Sequence, residues 1–121
     1  MKELISKIEK LESQNWEINL EIMKELDFAD EKAVVDGTRF TIPGSRHSHE
    51  IINYTGSIDD AIRLIPNGWG MVGLEKLETW CCELALDGNP LVEQRIADAH
   101  NIASIAITLT SLKLKHDLEK E

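Results

Sequence analysis

The chain is poor in the residues that mark specialised protein classes. Of 121 residues only 2 are cysteine, and they are adjacent, Cys81-Cys82. Neighbouring strand residues point to opposite faces, so these two thiols do not readily share a metal ion. No apolar run comes near the ~18 residues of a membrane span, and no basic-then-apolar leader opens the sequence. With so few cysteines, this points to a soluble protein of a reducing cytoplasm. There is no internal repeat or low-complexity linker. The 7 glycines sit at turns or singly in strands and compose no phosphate-binding motif. Positive charge is scarce too, with 13 basic against 22 acidic residues and a net charge of -9. That field argues against general binding to a nucleic-acid polymer or an anionic membrane, while a small anion can still be held in a local pocket.

A chain of this length is expected to form a single domain, 1–121. It can bury one core, but its surface-to-volume ratio makes cover by partner subunits useful, so self-association is expected. Leu4, Ile5, Ile8 and Leu11 keep helical spacing, and the polar cluster Ser13-Gln14-Asn15 then supplies a break and a new cap. Trp16, Leu20 and Met23 carry a second apolar face toward Phe28. One kinked helix or two short ones fit equally well.

The period then changes. Ala33-Val34-Val35, Asp36-Gly37 and Thr38 to Ile42 read as a tight hairpin, since Asp-Gly tolerates the positive φ of a two-residue turn. The polar run Gly44 to Glu50 reads as a loop whose Ser45, Arg46, His47, Ser48 and His49 could all meet an anion. In Asn53 to Trp69, NYTGSIDDAIRLIPNGW, Ser57 and Asp60 have the spacing of a capping box, and Ile58, Ala61, Ile62 and Ile65 fall on one apolar face before Pro66-Asn67-Gly68 ends the helix. Two strands follow, Trp69 to Leu74 and Glu78 to Leu86, with Trp80, Cys82, Leu84 and Leu86 on one face. Asp87-Gly88 ends the second. Asn89 is then read as the cap of the final helix, with Pro90 at its first position.

That helix is chemically odd. From His100 to Leu112 it contains no Asp, Glu, Lys or Arg, so it must be shielded nearly all round. Ile102, Ile105, Leu109 and Leu112 make an apolar stripe. Asn101, Ser104, Thr108 and Ser111 make a second stripe that should meet a polar, partly dry surface, either a subunit interface or the wall of a ligand site.

The fold class that follows is α+β: a mostly antiparallel sheet sandwiched by helices, with a kinked N-terminal helix and a long C-terminal one. No catalytic residue, metal ligand or cofactor is assigned. His47-Ser48-His49 and the cysteine pair are poor metal sites, and Asp59-Asp60 are explained by a helix N-terminus. A nucleotide site needs a flat apolar surface, amides for the base edge and donors for phosphate. Trp80 could stack a base, Asn89 and Asn101 could read its edge, and Arg95 would lie in the first turns of the final helix, with Ser104 and Thr108 lining the wall. Arg39, Arg46 and Lys76 are alternative phosphate partners.

The wording Tyr54-Thr55-Gly56-Ser57-Ile58-Asp59, Ile65-Pro66-Asn67-Gly68-Trp69 and Trp80-Cys81-Cys82-Glu83-Leu84 resembles the phage αβα-sandwich domain family, from about Trp16 through the last helix. Within that family the chain looks most like the Thoeris anti-defence proteins. It departs from the common pattern in Cys81-Cys82 and in its charged end, Lys113 to Glu121. The resemblance implies an α+β layout and a cytoplasmic protein of the infected host cell. It also implies binding and sequestration of a cyclic ADP-ribose-type signal without cleavage, a homo-oligomer (a dimer or a multiple, as far as a hexamer) and, in some relatives, capture of cyclic oligonucleotides. Two other readings stay open: a structural or interaction protein of the phage, and a small nucleotide hydrolase.

Overall fold

A computed structural model describes residues 1–89, 91 and 95–120, with the side chain of Arg95 outside the description. The elements are α1 (Lys2–Glu9), α2 (Trp16–Glu25), β1 (Val34–Asp36), β2 (Arg39–Thr41), β3 (Ser48–Glu50), α3 (Ile58–Ile62), β4 (Trp69–Lys76), β5 (Trp80–Leu86), β6 (Arg95–His100) and α4 (Ala103–Glu119). The α+β class, antiparallel pairing and long C-terminal helix agree with the sequence reading. The single sheet becomes two antiparallel sheets of three strands, β1-β2-β3 and β4-β5-β6.

The N-terminal segment is two helices rather than one kinked helix. The Asn15 side chain accepts the Ile18 N–H and caps α2, where the polar cluster predicts a break. In the first hairpin Asp36 pairs with Arg39, so the turn is Gly37-Thr38, one residue later than the Asp-Gly reading, with Gly37 at φ 66°. The expected loop Gly44 to Glu50 ends in a strand: Ser48, His49 and Glu50 pair with Thr41, Phe40 and Arg39. The Arg39 guanidinium holds the join by donating to the Ser48 hydroxyl and carbonyl, both at 2.9 Å.

The largest correction concerns the segment before the final helix. The cap-and-helix reading fails at Arg95–His100, which is a strand paired along β5 from Ala85↔Arg95 to Trp80↔His100. Pro90 lies outside the described residues. Asn89 caps only a turn, its side chain accepting the Leu91 N–H at 3.0 Å. The alternation in Arg95–His100 was hard to read because its polarity is inverted. Ile96, Asp98 and His100 share the face paired beside Leu84, Cys82 and Trp80, while the alternate positions are Arg95, Ala97 and Ala99, two of them alanines. Asp98 is tolerated there because Lys113 of α4 reaches it, and the same ammonium lies 3.7 Å from Glu9 of α1.

Helix α4 is the middle layer. Ile105, Leu109 and Leu112 pack into one core with Leu4, Ile8 and Ile22, whereas Ala106, Ile107 and Leu114 pack into a second with Cys82 and Leu84. Every residue from Ala103 to Leu112 is buried. The expectation of all-round shielding is met within one chain, so this helix gives no reason to invoke a partner subunit. The layers run sheet, α4, then α1 and α2, which places a helix between the others rather than a sheet between helices.

Candidate functional site

The recognisable segment around Asn53 is a junction for this layering. Asn19, fully buried, donates to the Asn53 side chain at 2.9 Å and accepts from the Thr55 N–H at 2.9 Å and the Thr55 hydroxyl at 2.8 Å. Thr55 Oγ1 also accepts the Asn15 N–H at 2.8 Å. Ser57 caps α3 as expected, but the Asp60 carboxylate accepts the Asn53 N–H at 3.0 Å and so bypasses the cap residue. At Gly56 a Cβ would run into the side-chain amides of Gln14 and Asn53, so glycine lets this loop approach the α1–α2 break without displacing them.

The polar stripe of α4 closes on the same loop. Ser104 Oγ donates to the Thr55 carbonyl at 2.7 Å and Thr108 Oγ1 to the Tyr54 carbonyl at 2.9 Å. Thr110, one position off the stripe, back-bonds to the Ala106 carbonyl at 2.8 Å. The polar, partly dry surface expected opposite Ser104 and Thr108 is therefore the backbone of Tyr54 and Thr55, and both hydroxyls are spent inside the fold. Asn101 is exposed at the bend before α4.

The remaining candidates are split between the ends of the larger sheet. Trp80 packs on the inner core face beside Leu84 and Ile107, with the Lys76 ammonium 6.0 Å from its ring. Asn101 follows its cross-strand neighbour His100. Arg95 pairs with Ala85, five residues along β5 from Trp80, or roughly 17 Å at strand rise. Asn89 follows β5 on the Arg95 side. The register thus places Trp80 and Asn101 at one end of this sheet and Arg95 and Asn89 at the other. The cysteines take opposite faces as expected. Cys82 is fully buried, and that burial, aided slightly by the nearby Asp98 charge, pushes its thiol up to about 11 against the smaller influence of the Thr110 hydrogen bond. Cys81 lies with Glu75 and Glu83 along a cleft on the outer sheet face. Among the described residues no group of three His, Cys, Asp or Glu side chains could hold a metal ion, and no helix is long and apolar enough to cross a membrane.

A different cleft has the chemistry an anionic ligand needs. It lies between the end of α2, the end of α3 and the last turns of α4, with a volume of about 340 Å³. Arg63 and Lys115 supply the cations, Phe28, Leu26 and Ile65 the apolar wall, and Asn67 an amide. The fold puts them there for local reasons: Arg63 is the C-cap of the short α3, and the chain turns out of that helix through Pro66 and Asn67 to Gly68 at φ 86°. The Phe28 ring is 62% exposed, an unusual position for a phenylalanine and one that leaves a face open for stacking. Arg63 has Asp60 at 3.9 Å as its only ion-pair partner among the described residues, and Lys115 has none. Among the described residues no carboxylate lines this cleft, and Asp60 reaches Arg63 from outside the lining. By contrast, the cleft between α1 and α2 is rimmed by Glu3, Glu21, Glu25 and Glu31, and the outer sheet cleft by Glu75 and Glu83.

None of the six residues selected from the sequence lines the basic cleft. The missed residues are Phe28, Arg63, Asn67 and Lys115, which are scattered in sequence. The available signal was weak: an aromatic beyond the last apolar turn of α2, and a lone Arg in the recognisable stretch. No protein-family model, curated protein or solved structure matches the chain.

Proposed function

We propose that the protein binds and sequesters a small anionic nucleotide signal of the cyclic ADP-ribose type, without cleaving it, in the cleft of Arg63 and Lys115. In the setting implied by the family resemblance, this would block Thoeris signalling in an infected cell. The observation that carries the reading is the pairing of two cations with an open aromatic face and an amide, in a cleft that no carboxylate of the described residues lines, on a chain of net charge -9. A phosphate set between guanidinium and ammonium gains charge-assisted hydrogen bonds, a ring can lie on Phe28, and Asn67 can both donate and accept at a base or ribose edge. A volume of about 340 Å³ falls near the lower end, ~300 Å³, of small-molecule sites.

The test is calorimetric titration of the purified protein with cyclic ADP-ribose isomers, linear ADP-ribose and a cyclic dinucleotide. Each ligand is then recovered by denaturation and chromatography. Binding that weakens about ten- to hundredfold in Arg63→Ala or Lys115→Ala, consistent with losing a charged bond worth ~1.5–3 kcal/mol, supports the site. Recovery of unchanged ligand supports sequestration, and turnover to fragments would replace it with the hydrolase reading.

Self-association belongs to the same proposal but rests on a different surface. Ile58 and Ile62, one turn apart on α3, are 42% and 39% exposed rather than forming the buried face expected of them. Light scattering at micromolar concentration tests it: a monomeric mass would remove the oligomer from the reading.

A further inference from the structure

The exposed Phe28 ring is a ridge between two clefts. On one side lies the basic cleft. On the other is a more apolar one of about 280 Å³, walled by Met23, Phe28, Phe40, Ile42 and His49, with Asp30 and Glu50 at its edge. We infer that this second cleft is a base subsite selective for an amino-bearing purine, with the base on the Phe28 and His49 side and the phosphate reaching over the ridge to Arg63 and Lys115. This extension rests on the reading of the basic cleft as an anion site.

Three observations support it. First, each cleft lies near the lower end of small-molecule sites, ~300 Å³, and the two meet at Phe28, so a nucleotide anchored at Arg63 and Lys115 has room to extend over the ridge into the second cleft. Second, the second cleft has the flat surfaces that stacking requires. The Phe40 and His49 rings lie 5.2 Å apart between centroids at 32°, so the His49 ring is backed by a buried phenylalanine, and Phe28 stands at the ridge. Third, the charge is complementary to a donor edge. Asp30 is held in place by the Lys32 N–H, which donates to its carboxylate at 2.8 Å, and Glu50 lies 3.7 Å from Arg39. Carboxylates only accept hydrogen bonds at neutral pH, so they favour an exocyclic amine over a carbonyl. Adenine presents that amine, and hypoxanthine presents a carbonyl in its place. The same carboxylates would repel phosphate, which fixes the ligand's direction across the ridge.

The test separates the two clefts by using fragments. Isotope-labelled protein is titrated with adenosine, inosine and ribose 5-phosphate while backbone and ring resonances are followed. Adenosine is expected to move Ala29, Phe40 and His49, to bind at least about fivefold tighter than inosine, and to weaken about tenfold in His49→Ala, the size of losing one ring from a stacked base. His49 is exposed, so this variant leaves the core intact. Ribose 5-phosphate is expected to move Arg63, Asn67 and Lys115 and to be unaffected by His49→Ala. Equal affinity for adenosine and inosine, unchanged adenosine binding in His49→Ala, or no adenosine shifts at those three residues would each overturn the base subsite. Ribose 5-phosphate binding that survives Arg63→Ala with Lys115→Ala would instead overturn the anion site.

Discussion

Ser104 of the central helix donates its hydroxyl to the carbonyl oxygen of Thr55 at 2.7 Å, in a region where both residues are buried. Thr55 is itself bound by Asn15 and Asn19, so this one bond joins α4 to the junction between α1 and α2. The uncharged first turns of α4, Ala103 to Leu112, can therefore sit between two cores with the Ser104 and Thr108 hydroxyls satisfied. The cost of leaving the buried carbonyl unpaired makes the arrangement specific.

Ser104→Ala is expected to destabilise the protein by about 1–3 kcal/mol, the range for orphaning a buried acceptor. Ser111→Ala is its control. The Ser111 hydroxyl is buried and makes no hydrogen bond to any described residue, so its removal should be neutral or slightly stabilising. Urea denaturation of both variants gives the comparison, and equal losses would show that the stripe is not anchored through Thr55.

Asn19→Ala should be more damaging, by roughly 3 kcal/mol or more, because it strips partners from the Thr55 N–H, the Thr55 hydroxyl and the Asn53 side chain together. Its effect should be far from additive with Thr55→Val, since the two residues share bonds. A double-mutant cycle with coupling near zero would disprove a shared network.

These residues also mark what could be read from sequence. Ser57, Asn15 and the hairpin glycine act locally, so the α2 cap, the start of α3 and the first turn were legible to within a residue. Of the uncharged run His100 to Leu112, the part from Ala103 onward has the all-round cover expected, while Asn101 is exposed. The run could not say what the cover was, because Tyr54 and Thr55 offer main-chain carbonyls that look the same in every sequence. β6 was hidden by alternating alanines with an inward-facing Asp98 whose partner, Lys113, arrives from another element. The basic cleft was invisible for a similar reason: Phe28, Arg63, Asn67 and Lys115 converge only after α2, α3 and α4 have packed.

Lys113 links three elements through Asp98 and Glu9. Partial burial works against its charge, but the hydrogen bond and charge of Asp98, aided by Glu9, prevail and raise its pKa above the usual lysine value. With the folded pKa raised, this contribution is fully present below the unfolded lysine pKa and is lost as pH rises through the folded one. Lys113 is one-third exposed, so solvent screening limits the coupling with Asp98 to about 1 kcal/mol. A Lys113→Met and Asp98→Asn cycle at pH 7 measures it, and a coupling above about 3 kcal/mol would show the pair to be drier than its exposure indicates.

Alkaline pH should unfold the protein through two buried acids. Burial raises the Cys82 thiol to about 11 and the Tyr54 phenol to about 12, the latter against Arg63. A group held neutral in the fold ionises first in the unfolded chain, so stability is constant below about pH 9 and falls as pH rises toward 12, by at most about 3 kcal/mol for each group. Cys82→Ala and Tyr54→Phe should each flatten part of that slope. Alkylation at pH 8 followed by intact mass is the companion measurement. Cys81 should react, and Cys82 should react only after denaturation.

Arg95 and Arg63 make opposite forecasts for ligand binding. Arg95 lies on β6 opposite Ala85, roughly 17 Å along the sheet from Trp80. Arg63 lines the basic cleft with Lys115 and Phe28. Arg95→Ala is expected to bind a cyclic ADP-ribose probe within about twofold of the parent, whereas Arg63→Ala should lose about ten- to hundredfold. Arg63 is exposed, and matched melting temperatures of the two variants should certify the fold. If Arg95→Ala loses binding while Arg63→Ala keeps it, the ligand sits at the far end of the larger sheet. The cleft of Arg63 and Lys115 would then be only the seam where α2, α3 and α4 meet.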